Sequence, residues 1–524
     1  MTTTDIRDGA PLPETAGVGE GRSSSSDHSY RQILASTAII GGSSAANVLF
    51  AIVRAKSMAI LLGPAGVGLI GLYQLVIDLS QTVAGLGVPT SGVRQIAEAA
   101  AQGTEDVVAR TAAVIRRACL ALGVLGALAF IALSRPLATV TFGTPTHVTA
   151  LALLSVVLLF KLVSSGQIAL VQGLRRIGDL ARFNMISAFA STVISIPVVY
   201  LFGVDGIVPS LICVAAVSVA TSWWYSRKIV LPPARLSPRT TLAVAGPLLT
   251  LGVVFMASAL FDVGTAYAVR IIVLRHEGVE AAGLYQAAWA IGGLYAGFIL
   301  QAMGTDFYPR LTAIANDHAA CNRTVNEQTE VSMLLAGPGV LATLTLAPLI
   351  IHVFYTAEFH PAINLLRWIS LGMMLRIVSW PMGFVIIAKG ARRMFFAADA
   401  AAAVVHVALA WVLVPRIGVA GAGVAFFGYY VWHTAFVSAI TWGLTGFHWS
   451  TVNLKYACGY LTTSLAVFAM FATADFWIAS GFGALVTGAS VIFTLRRLLV
   501  MLPKDSLPPP LRPWHGTLTW LVRL

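Results

Sequence analysis

A series of apolar segments limits the possible folds of this chain more than any other feature. They lie at about 34–53, 66–89, 115–133, 149–171, 183–202, 207–225, 243–268, 281–302, 331–354, 362–388, 395–414, 419–444, 455–473 and 478–500. Each is long enough to cross a bilayer. In hydrocarbon every backbone N–H and C=O needs an internal partner, which leaves only helices or a closed barrel. These segments are long and continuous rather than short and alternating, so helices are expected. Charged residues make up 11% of the chain and its mean hydropathy is +0.81. A soluble chain carries about 25% charged residues. The expected fold is therefore an all-α polytopic membrane protein of about fourteen transmembrane helices.

An even number of spans puts both termini on one side. With the N-terminus inside, 25 of the 34 Lys and Arg residues fall in inside segments. Arg54, Lys56, Arg135, Arg270, Arg275 and Arg416 fall in outside turns, and Lys161, Arg367 and Arg376 within spans. This bias predicts an N-in/C-in orientation and accounts for most of the +12 net charge, so no nucleic-acid partner is needed. Residues 1–30 are rich in Ser, Thr, Gly and Asp and read as a disordered cytoplasmic tail without a cleavable signal. The basic, Pro-rich stretch around 229–242 reads as a cytoplasmic linker between an N-lobe at 31–228 and a C-lobe at 243–445. An additional pair of spans at 455–500 and a basic cytoplasmic tail at 501–524 follow. The outside turns are short, the longest being about 134–148, and the Ala-rich stretch 90–114 reads as an inside connection.

Within the second span Gly71, Gln74, Asp78, Gln81 and Gly85 recur at i, i+3, i+7, i+10 and i+14, on one helical face. A shift of 212 residues brings Gly283, Gln286, Ala290, Gly293 and Gly297 into register, and Gly-Leu-Tyr-Gln occurs at both 71–74 and 283–286. The chain reads as a duplication in which each half presents one polar helix face to a shared interior.

Ionisable groups within spans cost roughly 2.5–3.5 kcal/mol each on insertion scales and mark candidate sites. Asp78 lies mid-span on the polar stripe. Asp262 and Arg270 lie on span seven, roughly 80° and 12 Å apart, and could flank one cavity wall. Arg376 is mid-span ten and must face water or protein. Lys161 in span four is a further candidate. Arg367 reads as an interfacial residue, and Asp399, His406 and His433 as lesser candidates. Gly246-Pro247, Gly337-Pro338-Gly339 and Pro381-Met382-Gly383 are places where a helix can kink. The four cysteines, Cys119, Cys213, Cys321 and Cys458, lack metal or disulfide spacing and read as apolar fillers. The sequence carries no phosphate loop, HExxH, GxSxG or Cys/His cluster. No cofactor, metal or hydrolytic activity is expected.

The run LLGPAGVGLIGLYQLVIDLSQTVAGLGVPTSGVRQIAE resembles the first two helices of bacterial O-antigen and exopolysaccharide translocases, the Wzx-type flippases. These belong to the polysaccharide-transporter branch of the multidrug/oligosaccharidyl-lipid/polysaccharide (MOP) exporter superfamily, which includes the MATE transporters. AGLYQAAWAIGGLYAGFILQAMGTDFYPRLT resembles their seventh and eighth helices, and FVIIAKGARRMFF and GVAGAGVAFFGYYVWHTAF their tenth-to-twelfth region. The resemblance covers roughly 31–445. It implies two pseudo-symmetric six-helix bundles around a central cavity, working by alternating access in the bacterial cytoplasmic (inner) membrane. The implied substrate is a polyprenyl-diphosphate-linked oligosaccharide, flipped from the inner to the outer leaflet. Polysaccharide polymerase and chain-length proteins are the implied partners besides the bilayer.

The resemblance also carries cavity cations over to Lys56, Arg270, Arg376 and Lys389. With Gln74, Gln286, Tyr73, Tyr285 and Lys161 they form the expected diphosphate and glycan surface. Asp78 and Asp262 are the ion-coupling candidates. The extra pair at 455–500 departs from the resemblance and leaves a lipid II-type flippase as an alternative. A MATE-like multidrug or cation exporter, a membrane polysaccharide polymerase or ligase, and a non-transporting scaffold are the remaining alternatives. The N-in/C-in reading predicts that alkaline phosphatase fused after Thr144 is active in cells and fused after Lys228 is inactive; the opposite pair of activities would refute it.

Overall fold

The computed structural model describes residues 21–103, 105–233 and 238–501. Within them the chain forms fourteen α-helices and no strand. The N-lobe comprises α1 (Gly21–Ala84), α2 (Val88–Ala101), α3 (Glu105–Ala132), α4 (Ser134–Phe142), α5 (Val148–Gly173), α6 (Ile177–Phe202) and α7 (Ile207–Arg227). The C-lobe comprises α8 (Pro238–Ala313), α9 (His318–Phe354), α10 (Ala362–Ala388), α11 (Arg392–Ile417) and α12 (Ala420–Thr445). The additional pair is α13 (Thr451–Thr473) and α14 (Phe476–Met501). Two helices break sharply in the middle, α1 at Gly63 (φ 62°) and α8 at Gly278 (φ 86°), and each arm is one apolar segment of the sequence. Counting those arms separately, and setting aside the short helices α2 and α4, each of the fourteen segments corresponds to one helix or arm.

Several boundaries differ from the sequence reading. Helix α1 opens at Gly21, inside the segment 1–30 expected to be disordered, and α8 opens at Pro238, inside the expected linker. Residues 1–20, 234–237 and 502–524 of the expected tails and linker lie outside the described residues. Most of the connection 90–114 is helix: α2 buries Val88, Ile96 and Ala99 against α3 and α5. The turn at 134–148 contains α4. The breaks fall at Gly63, next to Pro64, and at Gly278, whereas helical backbone continues through Pro247, Pro338 and Pro381, the expected kink sites.

The lobes meet where α1 and α8 cross, at glycines that let backbone touch backbone. A Cβ on Gly283 would overlap the Pro64 carbonyl oxygen, one on Gly68 the Val279 carbonyl oxygen, and one on Gly71 would lie 2.9 Å from the Gln286 side chain. At the opposite, linker end Gly87 (φ 65°) abuts Gly252 in the same way, and Ser91 Oγ donates to Leu248 O at 2.9 Å.

At the kink end two cations tie the lobes reciprocally. Lys56, in the first arm of α1, donates to His352 O (2.6 Å) and Tyr355 O (2.5 Å), at the C-terminus of α9. Arg275, in the first arm of α8, donates to Thr139 O and Val140 O, both at 2.6 Å, at the C-terminus of α4. In both cases a cation meets the negative end of a helix dipole and adds a side-chain donor to carbonyls of its terminal turn and cap.

The additional pair is fixed to α9 by the prolines of that helix. Pro338 leaves Leu334 O without its helical donor, and Thr494 Oγ1 of α14 supplies one at 2.9 Å. The same hydroxyl meets Tyr460 OH of α13 at 3.0 Å, and the Tyr460 ring fills the space that a Cβ on Gly337 would occupy. Pro348 likewise frees Leu344 O, which accepts from Arg367 Nε at 3.3 Å. Arg367 is therefore no interfacial residue. It is 6% exposed, and its guanidinium lies 3.8 Å over the Phe471 ring of α13.

The glycine crossing predicts that Gly283→Ala costs about 1–3 kcal/mol or more by overpacking. That variant should lose the monodisperse protein peak in detergent gel filtration, whereas Gly293→Ala, whose Cβ meets open space, keeps it. Equal recovery of the two would contradict the crossing.

Candidate functional site

The second arm of α1 is the axis of the candidate site, and every member of its polar stripe borders a cavity. Gly71 and Gln74 border a central cavity of about 160 Å³ between the lobes. Gln74 and Gln81 border a cavity of about 460 Å³ inside the N-lobe, walled by α1, α5, α6 and α7. Asp78 borders a C-lobe cavity of about 310 Å³. Asp78, Gln81 and Gly85 border a fourth, of about 370 Å³, towards the linker end. Gln74, Asp78 and Gln81 each border two cavities, so this one helix face lines all four.

The second repeat is used differently. Gly283 is consumed by the crossing, while Gln286 and Ala290 face the central cavity. Neither of the duplicated tyrosines borders the central cavity. Tyr73 is buried, its OH 2.9 Å from His147 Nδ1 and its ring edge-on to Phe142. Tyr285 is buried beside the C-lobe cavity and stacks on Trp289.

The expected cations separate into four settings. Arg270 is 8% exposed and donates through Nη2 to Gln286 Oε1 at 2.9 Å, with the Tyr285 and Trp289 rings 5.6 and 5.9 Å from its guanidinium. It holds Gln286 from behind, and Gln286 is the residue that reaches the central cavity. Lys161 borders the N-lobe cavity and pairs with Asp78 Oδ1 at 2.6 Å, a contact from α5 to the stripe. Lys56 serves the kink-end tie, and Lys389 donates to Ala315 O in the turn between α8 and α9, so neither borders these four cavities. Arg376 borders the C-lobe cavity together with Asp262 and Asp399, two carboxylates from different helices. His406 and His433 border the same cavity, with His406 stacked on Tyr429.

Sequence reasoning missed the cation that the first arm of α1 does aim inward. Arg54, counted among outside-turn residues, borders both the central and the N-lobe cavities and donates to Ser191 Oγ at 2.6 Å. It also missed Ser187, Ser191 and Ser195 of α6, which border those same cavities. Their i, i+4, i+8 spacing was the available signal. Asp399 and His406 are seven residues apart on one helix face, which was the signal for the C-lobe group.

Taken together, the central and N-lobe cavities offer two cations, three amides and a set of serine hydroxyls, with Asp78 neutralising Lys161. Such a surface orients an anionic group beside neutral hydroxyl-bearing groups. Among the described residues no group of three His, Cys, Asp or Glu side chains is placed to hold a metal ion.

Comparison with known proteins adds the following. A family model described as "Polysaccharide biosynthesis protein" matches residues 57–364. The lipid III flippase of Escherichia coli K12 is 22% identical over 387 residues, which is 72% of this chain and 90% of that protein. The lipid III flippase of Shigella flexneri matches to the same extent. Among solved structures, an inward-facing MATE family multidrug transporter of the MOP superfamily superposes with a TM-score of 0.65 at 15% identity, over 76% of this chain and 96% of that one. The lipid II flippase MurJ, inward closed, superposes with a TM-score of 0.61 at 14% identity, over 89% of this chain and 100% of that one. This chain shares their fold.

Disrupting the pair on the stripe yields a prediction. Removing one partner leaves the other charge uncompensated, but both side chains are more than a third open to the cavity. The coupling between Asp78→Ala and Lys161→Ala, measured by thermal unfolding in detergent, should be about 1 kcal/mol rather than the larger value of a fully buried pair. Additive single-variant effects would remove the pair from the account.

Proposed function

The chain belongs to the polysaccharide biosynthesis protein family, and from that premise we propose that it flips a polyprenyl-diphosphate-linked oligosaccharide. The movement is from the inner to the outer leaflet of the bacterial cytoplasmic membrane, by alternating access of the two lobes. The cargo is a repeat unit of the O-antigen, enterobacterial-common-antigen or exopolysaccharide type. The observation that carries this reading is the position of Arg54 at the junction of the central and N-lobe cavities, among Gln74, Gln286 and serine hydroxyls. A diphosphate leaving the headgroup layer gives up its counterions. A guanidinium supplies both the replacement charge and forked donors for phosphate oxygens.

In this reading the kink end, tied by Lys56 and Arg275, faces outward and the linker end faces inward. Flipping then requires the two ties to part. Asp262, sharing a cavity with Asp399 and Arg376, is the group to which we assign ion coupling; Asp78 is occupied by Lys161. Polysaccharide polymerase and chain-length proteins are the partners expected to receive the flipped unit. The same carboxylate pair favours a second reading, a MATE-like exporter of cations, since a cationic cargo would be attracted to Asp262 and Asp399.

A strain lacking the gene tests the choice. Loss of surface glycan, with complete lipid-linked repeat units trapped on the inner leaflet, is the expected outcome. Unchanged glycan combined with greater sensitivity to cationic dyes would replace the flippase by the exporter.

A further inference from the structure

The largest of the four stripe cavities lies inside one lobe rather than between the two. It measures about 460 Å³, within the range of small-molecule sites. Its wall sets hydroxyls and amides among apolar side chains such as Ile77, Phe183 and Leu211. Ser164 and Ser165 come from α5, Ser187 and Ser191 from α6, and Ser218 from α7, and Gln74 and Gln81 close it from α1. The C-lobe cavity offers tyrosines, histidines and carboxylates instead, so the two halves of the duplication have diverged in what they can hold.

Most of these hydroxyls are partly committed. Ser165 Oγ donates to Lys161 O at 2.8 Å and accepts from Gln81 Nε2 at 3.2 Å. Ser218 Oγ donates to Val214 O at 3.0 Å, Ser164 Oγ to Ser218 O at 3.4 Å, and Ser191 Oγ accepts from Arg54 at 2.6 Å. A hydroxyl that gives its proton to a backbone carbonyl keeps lone pairs to accept with. Ser187 Oγ has no hydrogen-bond partner among the described residues, but it is enclosed and exposes no surface to the cavity. The wall therefore offers acceptors and donors in mixed order, which suits groups that are themselves both, such as sugar hydroxyls. Arg54 and Gln74 border this cavity and the central one alike, so a phosphate held at Arg54 would direct the group bonded to it into the serine-lined space.

We propose that the N-lobe cavity is the subsite for the sugar nearest the diphosphate, with Arg54 on the phosphate at its mouth and Ser165 and Ser218 on the sugar hydroxyls. The proposal rests on the flippase reading and adds to it where in the protein sugar identity is read.

Ser218→Val and Ser218→Thr provide the test, because they have the same shape and differ by one hydroxyl. Among the described residues that hydroxyl donates only to Val214 O of its own helix, so its loss breaks no contact between helices. The probes are the lipid-linked glycan pool extracted from the deletion strain and polyprenyl diphosphate without sugar, each titrated against the purified full-length protein in nanodiscs. The Val variant should bind the glycan-bearing lipid about three- to tenfold more weakly than the Thr variant. Both should bind the sugar-free lipid equally. Equal binding of the glycan-bearing lipid by the two variants would overturn the subsite while leaving the transport reading intact. A wild-type protein that ignores the glycan-bearing lipid would overturn both.

Discussion

The contact of α1 with α8 at Gly68 and Gly283 is the constraint on which the rest of this structure depends. No lateral hydrophobic force draws helices together inside a bilayer, because lipid tails are as apolar as leucine, so close packing of small residues has to do so. Here the two backbones touch, and that contact carries several consequences along the helix. It sets Gln286 against Gly71, and below the crossing the polar stripe meets α5 only at points, through Lys161, Ser165 and Leu162. The cavities are the space that remains. A side chain at either glycine would push the lobes apart and change every cavity at once.

The additional helix pair follows from a different requirement. Proline within a membrane helix frees a carbonyl that lipid cannot satisfy, at a cost of several kcal/mol if it is left alone. Helix α9 has two such prolines. The carbonyls they free are taken by Thr494 from α14 and by Arg367 from α10, and Arg367 in turn rests on Phe471 of α13. At the linker end Asn326 and Asn453 join α9 to the start of α13 through Asn453 Nδ2 to Asn326 O at 2.9 Å. The pair is thus held to α9 along its length. It packs as part of the C-lobe.

Much of this was legible from residue order. Apolar segment lengths specified the helices, and the small and polar stripe with its copy 212 residues later specified which helix lines the interior. What residue order did not show was the setting of individual cations. Arg54 and Lys56 are two residues apart, and hydropathy places both in the same turn. In the structure one enters a cavity and the other turns to the end of α9. The difference is about 200° of helical rotation, and it depends on a break at Gly63 whose direction the sequence does not encode locally. Arg367 was misread for a related reason: its acceptor is a carbonyl freed by a proline 19 residues before it, on another helix. The repeat was also stricter in sequence than in use, since Gly283 serves contact whereas Gly71 borders a cavity.

The ties at the kink end have a further consequence through the nature of their acceptors. Lys56 and Arg275 both bind main-chain oxygens, which do not titrate and persist whatever side chains the acceptor helices carry. A tie built on carboxylates would weaken with acid and could be lost by substitution on either side. This one has a single heritable half. Substitutions along the ends of α4 and α9 can accumulate without releasing it, provided the helix termini stay in place, and only the two cations are exposed to selection.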